Sequence, residues 1–212
     1  MTENITVFVQ NSIRIEGSMG TVYIDPFQMK EAFHDADLIL ITHDHYDHFS
    51  PDDIRMVAGS NTTLVVPEKM AGKAKEVADA VSKTETVRPG ESYEIGGLSM
   101  ETVPAYNLLK PFHPKGAGWV GYILSVDGQR IYIAGDTDAT REAKAVKCDI
   151  AMIPIGGTYT MDAKKAAEYV NELQPKVAIP VHFGHIVGKP SDGDVFAQNV
   201  KAPVEVAFKI QF

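Results

Sequence analysis

The chain has 212 residues, 44% of them hydrophobic, enough to close one well-buried core and consistent with a single domain over 1–212. Its net charge of -8 argues against a nucleic-acid surface, and its one cysteine, Cys148, excludes an intramolecular disulfide framework and suits a reducing compartment. The amino terminus, Met1-Thr2-Glu3-Asn4-Ile5, lacks a basic region followed by an apolar stretch, and no run approaches transmembrane length, so no membrane is expected and the expected location is cytoplasmic.

In chain order, short apolar runs predict strands over 5–9, 22–24 and 38–41. The third run, Leu38-Ile39-Leu40-Ile41, leads directly into Thr42-His43-Asp44-His45-Tyr46-Asp47-His48. A helix should start straight after that loop, because Ser50-Pro51-Asp52-Asp53 offers an N-cap serine, a proline at the first helical position and an acid at the third. A strand over 63–66 and a helix over 68–81 follow. Strands are then expected over 99–103, 121–126, 130–134 and 150–153, with Asp127-Gly128 as a hairpin turn. A helix over 162–173, a strand over 177–180, a shorter helix over 192–200 and a strand over 204–210 complete the chain. Short apolar runs alternating with helical patterns favour a layered α/β architecture.

A weak internal echo suggests two related halves. Tyr23-Ile24-Asp25 followed by Asp37-Leu38-Ile39-Leu40-Ile41 parallels Tyr132-Ile133-Ala134-Gly135-Asp136 followed by Asp149-Ile150-Ala151-Met152-Ile153.

The segment from Thr42 to His48 holds three of the seven histidines and two carboxylates. Imidazoles two residues apart on a turning backbone can face one ion, while Asp47 and His48, a step further on, can face a second. A solvated polar turn that happens to be His-rich is the plain alternative. Its position at the end of a buried strand favours a metal-binding loop.

This His43-x-His45-x-Asp47-His48 string resembles the signature of the metallo-beta-lactamase superfamily, and the resemblance runs along most of the chain. Val22-Tyr23-Ile24-Asp25-Pro26 is similar to the superfamily's first motif. Ile131-Tyr132-Ile133-Ala134-Gly135-Asp136-Thr137 resembles the strand that carries its metal-bridging aspartate, and Ala178-Ile179-Pro180-Val181-His182 the strand that delivers its last histidine. Gly135-Asp136-Thr137, Pro154-Ile155-Gly156-Gly157 and Thr160-Met161 most resemble the branch containing the ascorbate-6-phosphate lactonase. The resemblance implies a four-layer αββα sandwich of two facing mixed sheets with helices outside. It also implies metal ligands at His43, His45, Asp47, His48, Asp136 and His182, with Asp25 orienting a ligand histidine or the loop backbone.

One departure stands out. Where the superfamily usually supplies a third histidine to its first metal, this chain reads Val103-Pro104-Ala105-Tyr106-Asn107. Asn107 at that position leaves three outcomes open: a weak first site, an oxygen-preferring ion, or recruitment of His113 from the following loop. One or two ions per chain are therefore expected.

Imidazole and carboxylate without thiolate suit zinc, with manganese or iron also compatible. The implied activity is hydrolysis of a lactone, ester or phosphoester of a small metabolite by a metal-activated water, with Asp47, Asp136 and His113 as the catalytic candidates. Lys110, Lys115 and His113 are candidates to meet a phosphate. The competing class is a metal-binding sensor or interaction module with weak or no hydrolysis; a ribonuclease fits the acidic charge less well. His185, three residues after His182, reads as a support of the site or a surface residue and His34 as structural, Cys148 as a buried apolar residue, and Trp119, Tyr106 and Tyr159 as core rather than pocket.

Overall fold

The computed structural model describes residues 1–210. Six strands form one sheet in sequence order: β1 (Ile5–Val7), β2 (Ile13–Gly17), β3 (Gly20–Ile24), β4 (Ala36–Leu40), β5 (Ala58–Pro67) and β6 (Lys83–Val87). Seven form the other: β7 (Ser92–Ile95), β8 (Leu98–Pro104), β9 (Val120–Val126), β10 (Gln129–Ile133), β11 (Ile150–Pro154), β12 (Val177–Val181) and the edge strand β13 (Glu205–Val206). Each sheet is mixed. β3 to β6 pair parallel, as do β10 to β13, while β1 to β3 and β7 to β10 pair antiparallel.

Side chains alternate across each strand, and both faces find a partner. Val22, Ile24, Leu38 and Leu40 meet Tyr122, Leu124, Ile133 and Ile179 in a core between the sheets. Tyr23, Ile39, Leu64 and Val66 point the other way, onto Ile54 and Val57 of α1 (Pro51–Val57). Tyr132, Ala151 and Ile153 face Ala166, Tyr169 and Val170 of α3 (Ala163–Leu173), with Phe196 of α4 (Asp192–Asn199) alongside. The result is the expected four layers, two sheets face to face with helices outside. Truncating one of the fully buried isoleucines to alanine would cost roughly 2–5 kcal/mol. No helix among the described residues is long and apolar enough to cross a membrane.

Several local expectations hold, and their causes are visible. Ser50 caps α1 by accepting from the Asp53 N–H, and Asp162 caps α3 by accepting from Lys165 N–H at 3.0 Å. Asp127 and Gly128 both adopt positive φ, 48° and 78°, between the paired β9 and β10.

The predicted helix over 68–81 is instead two short 3-10 turns, Glu68–Met70 and Lys73–Val77. Gly72 separates them, and the Arg55 guanidinium takes the Glu76 carbonyl at 2.7 Å, an acceptor that a continuing α-helix would need. The strand expected over 204–210 contracts to Glu205–Val206; further on, Ile210 bridges to Val7 of the other sheet. β2, β6, β7 and the four-residue α2 (Arg141–Lys144) were not expected. β6 has a single apolar residue, Val87, and β7 spans only four residues, so hydrophobic patterning says little about them.

This topology positions the site. The loops after β3, β4, β10, β11 and β12 all leave the carboxyl ends of parallel strands at the same edge of the sandwich. Asp25, the histidine loop, Asp136 and His182 therefore arrive together from two sheets.

Candidate metal centre

His43, His48 and His182 are almost fully buried, as are Asp136 and His113, and Asp47 is 7% exposed. Their polar atoms form two groups sharing one carboxylate. In the first, His43 Nε2 lies 3.1 Å from His45 Nδ1 and 3.9 Å from Asp136 Oδ2, and His113 Nε2 lies 3.3 Å from the same oxygen. In the second, His48 Nε2 and His182 Nε2 are 3.1 Å apart and stand 3.6 and 3.3 Å from Asp47 Oδ2. Asp136 Oδ1 faces this second group, 3.6 Å from His48 Nε2 and 3.4 Å from His182 Nε2.

These spacings suit ions better than hydrogen bonds. Donors held at about 2.0–2.2 Å around one tetrahedral ion stand about 3.3–3.6 Å from each other. His113 Nε2 and Asp136 Oδ1 are buried and make no hydrogen bond within the protein, an arrangement costly for polar atoms that have no ligand. His43, His45 and His113 present one possible ligand set and Asp47, His48 and His182 another, with His43, His48 and Asp136 forming a third set between them.

Sequence placed six residues here, and the fold brings all six together. It adds His113 and sets Asn107 aside. The Asn107 amide nitrogen donates to the carbonyls of Phe112 at 3.0 Å and Tyr159 at 2.7 Å, so the residue at the usual histidine position is a tether. His113, from the following loop, sets its ring 5.1 and 4.8 Å from those of His43 and His45, centroid to centroid.

Asp25 works from behind. It is fully buried and accepts from His48 Nδ1 at 2.7 Å, from Asn11 Nδ2 at 2.8 Å, and from both the N–H and the hydroxyl of Thr42. The His48 ring is thereby turned so that Nε2 faces the cluster. Gln10 holds His182: its carbonyl accepts the His182 N–H at 2.9 Å. Gln10, Asp25, His113 and His182 all have positive φ, 52°, 46°, 57° and 57°, conformations costing non-glycine residues about 1–3 kcal/mol each that concentrate at functional sites. Gly135 needs its left-handed φ of 64°, and a Cβ there would sit 3.2 Å from the Val120 carbonyl.

Charge within the cluster is strongly coupled. Burial acts to lower His48, yet Asp136, Asp25 and Asp47 outweigh it and raise His48 to about 9. Burial acts to raise Asp47, but its hydrogen bond to His182 and the charges of His48 and His182 bring it down to about 2. Asp136 lies well below the usual carboxylate range, burial again being outweighed by His182, His48 and His113. His43 is pushed well down, first by burial and then by His48.

A family model described as a beta-lactamase superfamily domain matches residues 4–182. A UPF0173 metal-dependent hydrolase of Pyrococcus abyssi is 33% identical over 186 residues, covering 80% of this chain and 79% of its own. One from Methanopyrus kandleri is 31% identical over 175 residues, with 79% and 75% coverage. The chain belongs to the metallo-beta-lactamase superfamily. It is one of that superfamily's metal-dependent hydrolases. Among solved structures, a candidate metal-dependent hydrolase of Parabacteroides distasonis superposes with a TM-score of 0.81 at 30% identity, covering 98% of this chain and 93% of that one.

Within this metallo-beta-lactamase frame, residues singled out from sequence sort as follows. Lys110 is bonded to Asp138 and Lys115 to Glu142 at 2.6 Å, and neither lines the cavity above the cluster. His185 is a surface residue whose Nε2 meets Gln28 Oε1 at 2.8 Å, and His34 Nδ1 meets the Ala58 carbonyl at 2.9 Å. Cys148 packs at the edge of the core under α3, and burial pushes its thiol up to about 12. Tyr106 is buried as expected. Trp119 and Tyr159 are not core: Trp119 packs within 5.3 Å, ring centroid to centroid, of His43, His45 and His113, and Tyr159 lines the cavity above the cluster. Sequence reasoning missed Gln10 and Asn11. The signal was two amides directly after an apolar run, a pattern too common to read alone.

Proposed function

We propose that the protein hydrolyses a small molecule at a site for two divalent ions, with a water as nucleophile. The observation that carries this reading is the Asp136 carboxylate, with one oxygen toward the His43, His45 and His113 group and the other toward the Asp47, His48 and His182 group. Nitrogen and oxygen donors without thiolate fit zinc best, with manganese and iron compatible. When bound, such ions supply a water whose pKa falls from about 15.7 to about 7.

The chain's own residues do the rest. His43, His45 and His113 would hold one ion and Asp47, His48 and His182 the other, with the Asp136 carboxylate between the two sets. Asp25 fixes the His48 ring, and Asp47, at the cavity floor, accepts a hydrogen bond from the attacking water. No side-chain nucleophile is required. Substrates are esters or lactones, the latter in keeping with the lactonase-like motifs, with phosphoesters as the competing class. The location is cytoplasmic.

The experiment is metal content by mass spectrometry paired with turnover of ester, lactone and phosphodiester panels. Two ions per chain, activity abolished by chelation and restored by divalent metal, are expected. Full activity in the metal-free protein would refute the mechanism.

A further inference from the structure

The cavity above the metal cluster has a polar floor and an apolar wall. His45, Asp47, Asp136 and His182 lie at its base, while Tyr46, Phe112, Tyr159, Ile186 and Val187 rise around it, enclosing about 300 Å³. The described residues include eight exposed large hydrophobic side chains, and four of them, Tyr46, Phe112, Tyr159 and Ile186, stand on this one wall. Tyr46 is 66% exposed and Phe112 46%. Phe112 and Tyr159 meet edge to face, with centroids 4.9 Å apart and planes at 78°. Exposed apolar side chains scattered singly need no explanation, whereas a cluster rimming a reactive floor marks a binding site.

Charge around the cavity points the same way. The cations near it in sequence are engaged elsewhere: Lys110 with Asp138, Lys115 with Glu142, and Lys73 with the Asp44 carbonyl. Among the described residues no Lys or Arg lines the cavity, Lys189 included. With divalent ions on the floor the charges of Asp47 and Asp136 would be offset there, whereas an anionic group carried on the substrate body, against the wall, would find no side-chain cation to receive it. Apolar walls gain about 0.8 kcal/mol for each methylene buried, roughly fourfold in affinity.

We infer that this cavity binds the apolar body of an uncharged ester or lactone, so that the site acts on neutral carbonyl compounds rather than on phosphorylated ones. The inference rests on the hydrolytic reading above. In the reaction the water oxygen bonds to the acyl carbon, and the bond from that carbon to the alkoxy oxygen breaks. The alkoxy oxygen takes one proton and the other passes to solvent, leaving a carboxylate.

The test uses metal-loaded protein and 4-nitrophenyl esters sharing one leaving group: acetate, butyrate, hexanoate, pentanoate, and the anionic mono-glutarate that matches pentanoate in size. kcat/KM should rise about three- to fourfold per added methylene and favour pentanoate over glutarate at least tenfold. Phe112→Ala and Tyr159→Ala should raise KM for hexanoate about tenfold or more but for acetate less than threefold. Equal or better use of the glutarate ester, or the same KM change for both esters in the variants, overturns the inference while metal-dependent turnover leaves the hydrolytic reading standing. A larger rate enhancement over solution for bis(4-nitrophenyl) phosphate than for the pentanoate ester overturns it too.

Should no ester turn over, 3-phenylpropan-1-ol is titrated against the fluorescence of Trp119, the one tryptophan in the chain. Saturable binding weakened at least fivefold by Phe112→Ala would then sustain the apolar site without the hydrolysis. The absence of saturable binding would remove both.

Discussion

Asn107 stands behind His113 and holds it through backbone and side chain: its N–H donates to the His113 carbonyl at 2.8 Å, and its amide nitrogen lies 3.3 Å from His113 Nδ1. The ring is thereby presented with Nε2 toward Asp136. By its position in the sequence Asn107 takes the place of a ligand, whereas in space it supports His113.

Replacing Asn107 with histidine should therefore not strengthen metal binding, contrary to what the sequence alone suggests. The Phe112 and Tyr159 carbonyls would lose their donor, and leaving buried polar groups unpaired costs about 1–3 kcal/mol each. Urea denaturation should show a stability loss of about 1–3 kcal/mol for Asn107→Ala. A histidine variant with higher zinc affinity and unchanged stability would contradict this arrangement.

His113→Ala should remove one ion and leave the other, because Asp47, His48, His182 and Asp136 remain in place. Metal counting after dialysis against a weak chelator should fall from about two per chain to about one. Retention of both ions by the variant would show that His113 is not a ligand.

Asp25 does not line the cavity above the cluster, so its replacement tests the support of His48 rather than contact with substrate. Asp25→Asn keeps the size but loses the charge that accepts from His48 Nδ1. Metal affinity should fall about 10- to 100-fold, with little change in KM for substrate once the metal is saturating. An unaltered metal titration would mean that the His48 ring holds its position without Asp25.

Gly156 follows β11, and a Cβ there would lie 2.4 Å from the His182 carbonyl and 2.5 Å from Val187 Cγ2. Gly156→Ala should displace His182 and the cavity wall together. The expected readings are a lowered melting temperature and a weakened second ion, with the ion held by His43 and His45 less affected. A variant that binds both ions as tightly as the parent protein would show that the loop yields without moving His182.

Sequence by itself determined the chemistry of this protein and the kind of strand that carries it. A histidine-rich loop compressed into seven residues after a buried run is legible because ligand type is a local property, whereas Asp25, Asp136 and His182 were placed by the resemblance to the superfamily. The two facing sheets were legible only through the resemblance to the superfamily, since the apolar runs alone give no more than a layered α/β architecture.

What only the tertiary structure decided are the matters that depend on distance across the chain. The polar edge strands β6 and β7 carry too little apolar signal to be read, and the chain over 68–81 loses its helix to Gly72 and to a bond from Arg55 twenty-one residues earlier. The substitution of His113 for Asn107 was visible as an alternative but not decidable, because six residues of loop can place either side chain at the site. One backbone bond from Asn107 to His113 and side-chain bonds from Asn107 to Phe112 and Tyr159 select one of them, and the bond to Tyr159 exists only once the loops after β8 and β11 have been brought together by the sheet.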